Sequence, residues 1–151
     1  MMRAVELDLQ RILRILPHRA PFLMIDRVTD VQPRKSARAI KCVTFNEPWA
    51  AGHFPGQPMF PNVLVLESMF QLLAILAYAS EPFDPTQKVV YFLGVEAAKF
   101  RRPVVPGDQM ELVLEVTQRR SNIWKASVTA TVDKNLCAQA EILAAITDRE
   151  P

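Results

Sequence analysis

Residues 63–79, VLVLESMFQLLAILAYA, constrain this chain more than any other stretch, because apart from the Tyr78 hydroxyl their polar side chains are Glu67, Ser68 and Gln71 alone. As a helix the segment is apolar on nearly every side, so most of its faces must be wrapped by other parts of the fold. An ionised carboxylate buried there without a partner is strongly disfavoured, and it escapes by pairing, by hydrogen bonding or by a raised pKa. Glu67 is therefore where chemistry is expected. Pro61 and Asn62 mark the helix start, since the loop prolines cannot continue a helix and asparagine is a favoured N-cap. The first turn then presents backbone N–H groups at a positive dipole end, close in sequence to His53. A base, an acid and an oxyanion site can meet here.

The rest of the chain supplies the wrapping. Residues 7–16, LDLQRILRIL, form a short amphipathic helix with Leu9, Ile12, Leu13 and Leu16 on one side and Arg11 and Arg14 on the other. Residues 22–31 and 37–45 read as strands, separated by the turn at Gln32-Pro33-Arg34-Lys35. After the long helix and a proline-rich connection comes a strand over 89–93. A turn at Pro106-Gly107-Asp108 then introduces the clearest pattern in the chain, in which Met110, Leu112, Leu114 and Val116 alternate with Glu111, Val113, Glu115 and Thr117. Strands over 123–132 and 136–146 follow, joined by turns at Arg120-Ser121-Asn122 and Asp133-Lys134-Asn135. This order predicts an α+β fold, an antiparallel sheet wrapped around one long buried helix. A single subunit is expected to cover that helix incompletely, which points to a homo-oligomer.

With 151 residues the chain is expected to form one domain over 1–151. A net charge of +2 with 23% charged residues and no long basic run argues against a nucleic-acid partner. Cys42 and Cys137 lie far apart in apolar, strand-like runs and share no metal-ligand spacing with the two histidines, so they read as reduced, buried thiols, with no metal. Arg3, Glu6 and Asp8 interrupt the N-terminus, so no signal peptide and a cytoplasmic location are expected. Residues 63–79 sit at the lower edge of membrane-spanning length and carry Glu67 and Gln71, so no membrane span is expected.

The motifs resemble a known family, the (3R)-hydroxyacyl-[acyl-carrier-protein] dehydratases of fatty-acid synthesis, which have the hotdog fold. The matching pieces are Leu16-Pro17-His18-Arg19 with Pro21-Phe22-Leu23 and Asp26-Arg27-Val28, then Asn46-Glu47-Pro48, Gly52-His53-Phe54-Pro55-Gly56, and Pro61 with Val63, Leu64 and Glu67. Further on they are Phe100-Arg101-Arg102-Pro103-Val104, Pro106-Gly107-Asp108, Ile123-Trp124-Lys125 and Ala140-Glu141. The related branch that also isomerises the product typically carries an aspartate on the helix, so Glu67 implies the dehydratase-only branch. The resemblance implies that His53 removes a proton from C2 of a 3-hydroxyacyl thioester and that Glu67, kept protonated by the apolar helix, protonates the departing hydroxyl. Backbone N–H groups around Gly56, Asn62 and Val63 would stabilise charge on the thioester oxygen. It implies no metal or organic cofactor, the substrate being carried on the phosphopantetheine of acyl carrier protein. It also implies a dimer whose site takes its His and Glu from different subunits, or a trimer of dimers. His18 falls in a structural N-terminal segment of the motif. Phe60, Phe70 and Tyr91 are the side chains expected to close or gate the acyl tunnel, and Gln71, one turn beyond Glu67, either orients it or satisfies backbone. Lys99, Arg101 and Arg102 form a basic cluster suited to phosphopantetheine or an acidic carrier, or simply to solvent.

Two departures qualify the resemblance. Asn62 stands where the family has glycine, keeping the N–H but adding a side chain. Ser68-Met69-Phe70-Gln71-Leu72-Leu73 replaces a run of small residues, so bulk has entered where close packing is expected and the neighbours must have changed with it. These differences suggest a specialised acyl or polyketide-like pathway. Two rival functions remain: a hotdog thioesterase, against which the spacing of GHFPG and Glu67 argues, and a non-catalytic hotdog subunit in a hetero-oligomer. The bulky helix favours the second, and retention of both His53 and Glu67 opposes it.

Overall fold

The structure, a computed structural model, describes residues 5–150. Its elements in chain order are α1 (Leu9–Ile15), β1 (Arg27–Gln32), β2 (Ser36–Cys42), α2 (Asn62–Ser80), β3 (Lys88–Phe100), β4 (Gln109–Arg120), β5 (Ile123–Val132) and β6 (Asn135–Asp148). The six strands form one antiparallel sheet in the order β1-β2-β4-β5-β6-β3, which curls around α2. The expected α+β architecture is thus the one observed. By length and composition α2 could cross a bilayer, yet 61% of its most apolar window is buried within this fold.

Small side chains on the sheet make room for large ones on the helix. Phe70, Leu72, Leu73, Ile75 and Leu76 of α2 are all buried, and the inner faces of β5 and β6 carry Ala126, Ala130, Ala138, Ala140 and Ala144. Alanine gives up side-chain volume, so the helix axis can approach the sheet while the leucines fill the space between them at interior density. The bulk at 70–73 is accommodated in this way. The alternation in β4 places Met110, Leu112 and Leu114 fully inside, as its pattern predicts. The turn between β5 and β6 uses positive φ at both Asp133 and Lys134, the geometry that suits the twist of a tight hairpin.

Several boundaries differ from those the pattern suggests, and three of them involve a side chain bonded to backbone. The first strand begins at Arg27 rather than at residue 22. Ahead of it, the fully buried Gln71 of α2 takes over the backbone: its Oε1 accepts the Met24 N–H at 2.8 Å, and its Nε2 donates to the Phe22 carbonyl at 2.9 Å. Residues 22–24 are therefore bonded to the helix instead of to a neighbouring strand. The second strand ends at Cys42 rather than 45, because the Asp26 carboxylate accepts the Cys42 N–H and the Glu47 carboxylate accepts that of Thr44. Strand β3 runs well beyond 89–93, to Phe100, with irregular register at Phe92/Gly94 and Glu96/Lys99. In α1, Asp8 caps the Arg11 N–H, the helix starts at Leu9, and Leu9 is left 45% exposed while Ile12 and Leu16 are buried.

Two further expectations are corrected. Asn62 is not the N-cap of α2: Pro61 occupies that position, its carbonyl accepting from Leu64 and Val65, and no side chain caps the helix. The loop approaches in an extended conformation that proline already favours, so Asn62 becomes the first helical residue. Of the two free thiols, Cys137 is buried but Cys42 is exposed, because inward residues on β2 are Ala37, Ala39 and Lys41 and the next position faces out. Burial raises the Cys137 thiol above its ordinary pKa.

Gln71 is the polar joint between helix and chain. Replacing it with leucine leaves the buried Met24 N–H and the part-buried Phe22 carbonyl without these partners, which costs about 2 kcal/mol in total. Urea unfolding of Gln71→Leu should show a lowered midpoint at unchanged slope; a loss of under about 0.5 kcal/mol would mean that those groups find other partners.

Candidate active site

The loop between β2 and α2 is built on a buried ion pair. Lys41 points inward from β2, only 5% exposed, and its ammonium lies 2.8 Å from Oε1 of Glu47. The other oxygen of Glu47 accepts the Thr44 N–H at 3.1 Å, and the Lys41 ammonium lies 5.8 Å from the ring of Phe60. Phe60 is buried edge-to-face against Trp49. The Asn46-Glu47-Pro48 motif thus serves as the anchor of the loop. From there the chain tightens: the N–H groups of Gly52 and His53 both reach the Trp49 carbonyl, Phe54 and Gln57 exchange backbone hydrogen bonds, and Gly56 supplies the φ of +76° that this turn needs. The loop closes where the Met59 N–H meets the His53 carbonyl and the Phe60 N–H meets the Val104 carbonyl.

This framework settles which nitrogen of His53 is free. Nδ1 lies 2.9 Å from the Met59 carbonyl oxygen, and since a carbonyl can only accept, Nδ1 carries the hydrogen. Nε2 therefore presents its lone pair. The half-buried ring stacks on Phe54, whose own ring is 52% exposed. At the entrance to α2 the N–H groups of Asn62 and Val63 have no partner among the described residues, and both side chains are exposed.

Glu67 is half-buried and escapes isolation by two of the routes open to it. Its Oε1 accepts from Gln71 Nε2 at 2.9 Å and lies 3.2 Å from Nε2 of His18. Within one chain, then, the helix acid meets His18, not His53. Sequence reasoning gave His18 only a structural place, and the one signal that could have drawn attention to it is that it is the chain's only other histidine. Beyond His18 lies an apolar cavity of about 230 Å³, lined among others by Phe70, Ala74, Val90, Tyr91 and Phe92, with Lys88 and Arg149 as its charged residues. The Phe70 ring stacks on Phe92 at 4.9 Å and meets His18 edge-on. Of the three residues expected at a tunnel, Phe70 and Tyr91 line this cavity, whereas Phe60 packs behind the histidine loop. Lys99, Arg101 and Arg102 are exposed at the end of β3 and just after it. Among the described residues no group of three or more His, Cys, Asp or Glu side chains converges as a metal site would require.

A curled antiparallel sheet around a single long helix, with a histidine on the loop that enters the helix and a carboxyl on its second turn, defines a hotdog-fold protein. Solved structures agree on the fold: a dehydratase heterocomplex from Xenorhabdus doucetiae superposes with a TM-score of 0.77 at 13% identity, covering 91% of each chain. The chain belongs to the FabA-like family, whose domain model matches residues 16–141. A 3-hydroxyacyl-[acyl-carrier-protein] dehydratase of Sorangium cellulosum is 55% identical, with 97% of this chain and 95% of that protein covered. Its counterpart in Myxococcus xanthus is 47% identical over 95% and 94%.

Proposed function

We propose that the protein is a hydro-lyase that eliminates water from (3R)-3-hydroxyacyl thioesters carried on acyl carrier protein, giving trans-2-enoyl thioesters for fatty-acid or related acyl synthesis in the cytoplasm. The observation that carries the reading is the complementary fixing of two groups. His53 is tied through Nδ1 and offers Nε2, while Glu67 is tied through Oε1 and offers Oε2. The His53 lone pair takes the proton from C2, the C2–C3 double bond forms as the C3–O bond breaks, and the Oε2 proton of Glu67 leaves with the hydroxyl as water. The transient charge on the thioester oxygen is met by N–H groups of Gly56, Asn62 and Val63. The names of the close relatives support the same substrate class.

The reading includes a second copy of the chain. Glu67 meets His18 in its own subunit, so a His53 to act with it is expected from a partner. A partner is also consistent with the free edge of β3, whose thirteen residues pair on one side only and carry the exposed Tyr91, Phe92 and Leu93, and with the exposed Phe22, Phe45, Phe54 and Val63. Whether two copies or a trimer of dimers assemble is read from mass in solution. The apolar cavity receives the acyl chain, and Phe70 with Phe92 limits its depth. The basic side chains of Lys99, Arg101 and Arg102 steer the acidic carrier.

Three measurements test these points. His53→Ala and Glu67→Ala should each lower turnover about a thousandfold, followed at the enoyl-thioester absorbance, and co-assembling the two inactive chains should restore activity, since one site of the mixed dimer then holds both native groups. Either variant at full activity sinks the acid–base assignment, and a mixed oligomer without activity sinks the shared site. Phe70→Ala should move the preference toward longer acyl chains across a graded thioester series; an unchanged profile would mean that the chain lies elsewhere. Arg101→Glu with Arg102→Glu should raise KM roughly tenfold for carrier-bound substrate and leave a pantetheine-linked analogue unaffected, whereas equal effects on both would rule out carrier docking there.

A further inference from the structure

His18 sits where no structural need places it. Its ring is half-buried, its Nε2 lies 3.2 Å from Oε1 of Glu67, and its Nδ1 is buried with no hydrogen-bond partner among the described residues. The backbone around it is held firmly: the Arg19 guanidinium donates to the carbonyls of Leu13, Leu16 and His18, closing the end of α1. A buried nitrogen left unpartnered is a standing cost, so the contact with Glu67 is the return on it.

The Gln71 amide decides the polarity of that contact. Its Oε1 must accept, because the buried Met24 N–H points at it, so its Nε2 donates both to Phe22 and to Glu67. Oε1 of Glu67 is thus an acceptor. Nε2 of His18 shares the same oxygen, and the Nε2–H tautomer of the ring makes it a second donor while leaving only a lone pair, not an N–H, unpartnered at Nδ1. A carboxylic acid has one hydroxyl oxygen and one carbonyl oxygen, and two donors on Oε1 favour it as the carbonyl.

We propose that His18 is a positioning residue: with Gln71 it clamps Oε1 of Glu67 as a double acceptor, so that the acid presents its proton on Oε2, toward the departing hydroxyl. This rests on the dehydratase reading, in which Glu67 is the acid. His18 never touches the reacting atoms and acts only through the orientation of the carboxyl.

The test uses the intact oligomer with His18→Leu, which keeps similar bulk and removes the donor, and His18→Gln, which can donate again. His18→Leu should lower kcat roughly ten- to a hundredfold, the scale of effect that misorientation of a catalytic group produces, with KM changed less than about twofold. His18→Gln should recover most of that loss, at a melting temperature equal to that of His18→Leu. In ¹⁵N-labelled wild-type protein, the His18 ring should show the Nε2–H tautomer, and Glu67→Leu should abolish that signature. Unchanged kcat in His18→Leu, equal losses in both variants, or an Nδ1–H ring in the wild type overturns the positioning role. A wild-type protein inactive on every thioester overturns the dehydratase reading itself, a result distinct from an active wild type indifferent to His18.

Discussion

A helix with no polar face is stable in water only when something else provides all of its surroundings, and the rest of this fold answers that requirement. The sheet curls because α2 must be covered, and its central strands carry alanines because the helix brings leucines and a phenylalanine to them. The same burial makes the few polar groups on the helix consequential. Gln71, fully buried, uses its amide to tie together three groups: the Phe22 carbonyl, the Met24 N–H and the carboxyl of Glu67. In a medium where an unpaired polar atom is so costly, such a joint has one low-energy arrangement, and rigidity follows from it.

The site inherits its order from buried polar contacts of this kind. His53 is oriented by a backbone carbonyl, and its loop is anchored in turn by the buried Lys41–Glu47 pair. Glu67 is oriented by a neutral amide and an imidazole. His53 with one nitrogen tied and Glu67 with one oxygen tied each have a single free atom to offer. General acid–base chemistry needs that arrangement, since proton transfer depends on reach before it depends on affinity. An apolar cavity lies next to His18, which in turn touches Glu67.

Much of the architecture was legible in the residues. The continuous apolar run at 63–79, the alternation at 110–116 and the turn residues between later strands gave helix, sheet and order, because side-chain periodicity directly reports which faces are buried. GHFPG with Glu67 carried the resemblance to the family to which the chain belongs. Several of the errors lie where hydrogen bonding claims backbone that the hydrophobic pattern assigns elsewhere. No local pattern reveals that Gln71 holds residues 22–24 away from a strand, that Glu47 ends β2 early, or that Pro61 rather than Asn62 closes the helix start.

By itself the sequence determined the fold class and the buried helix, since these depend on local preference and on the hydrophobic pattern, and it singled out His53 and Glu67 as the residues to look at. Only the tertiary structure decided which atoms of that pair are free, and that the acid's neighbour in its own chain is His18. It also placed Phe70 and Tyr91 on the cavity and Phe60 behind the loop. Those outcomes depend on distances between segments some fifty residues apart along the chain, and such distances are set by packing, of which a linear order of residues carries no direct record.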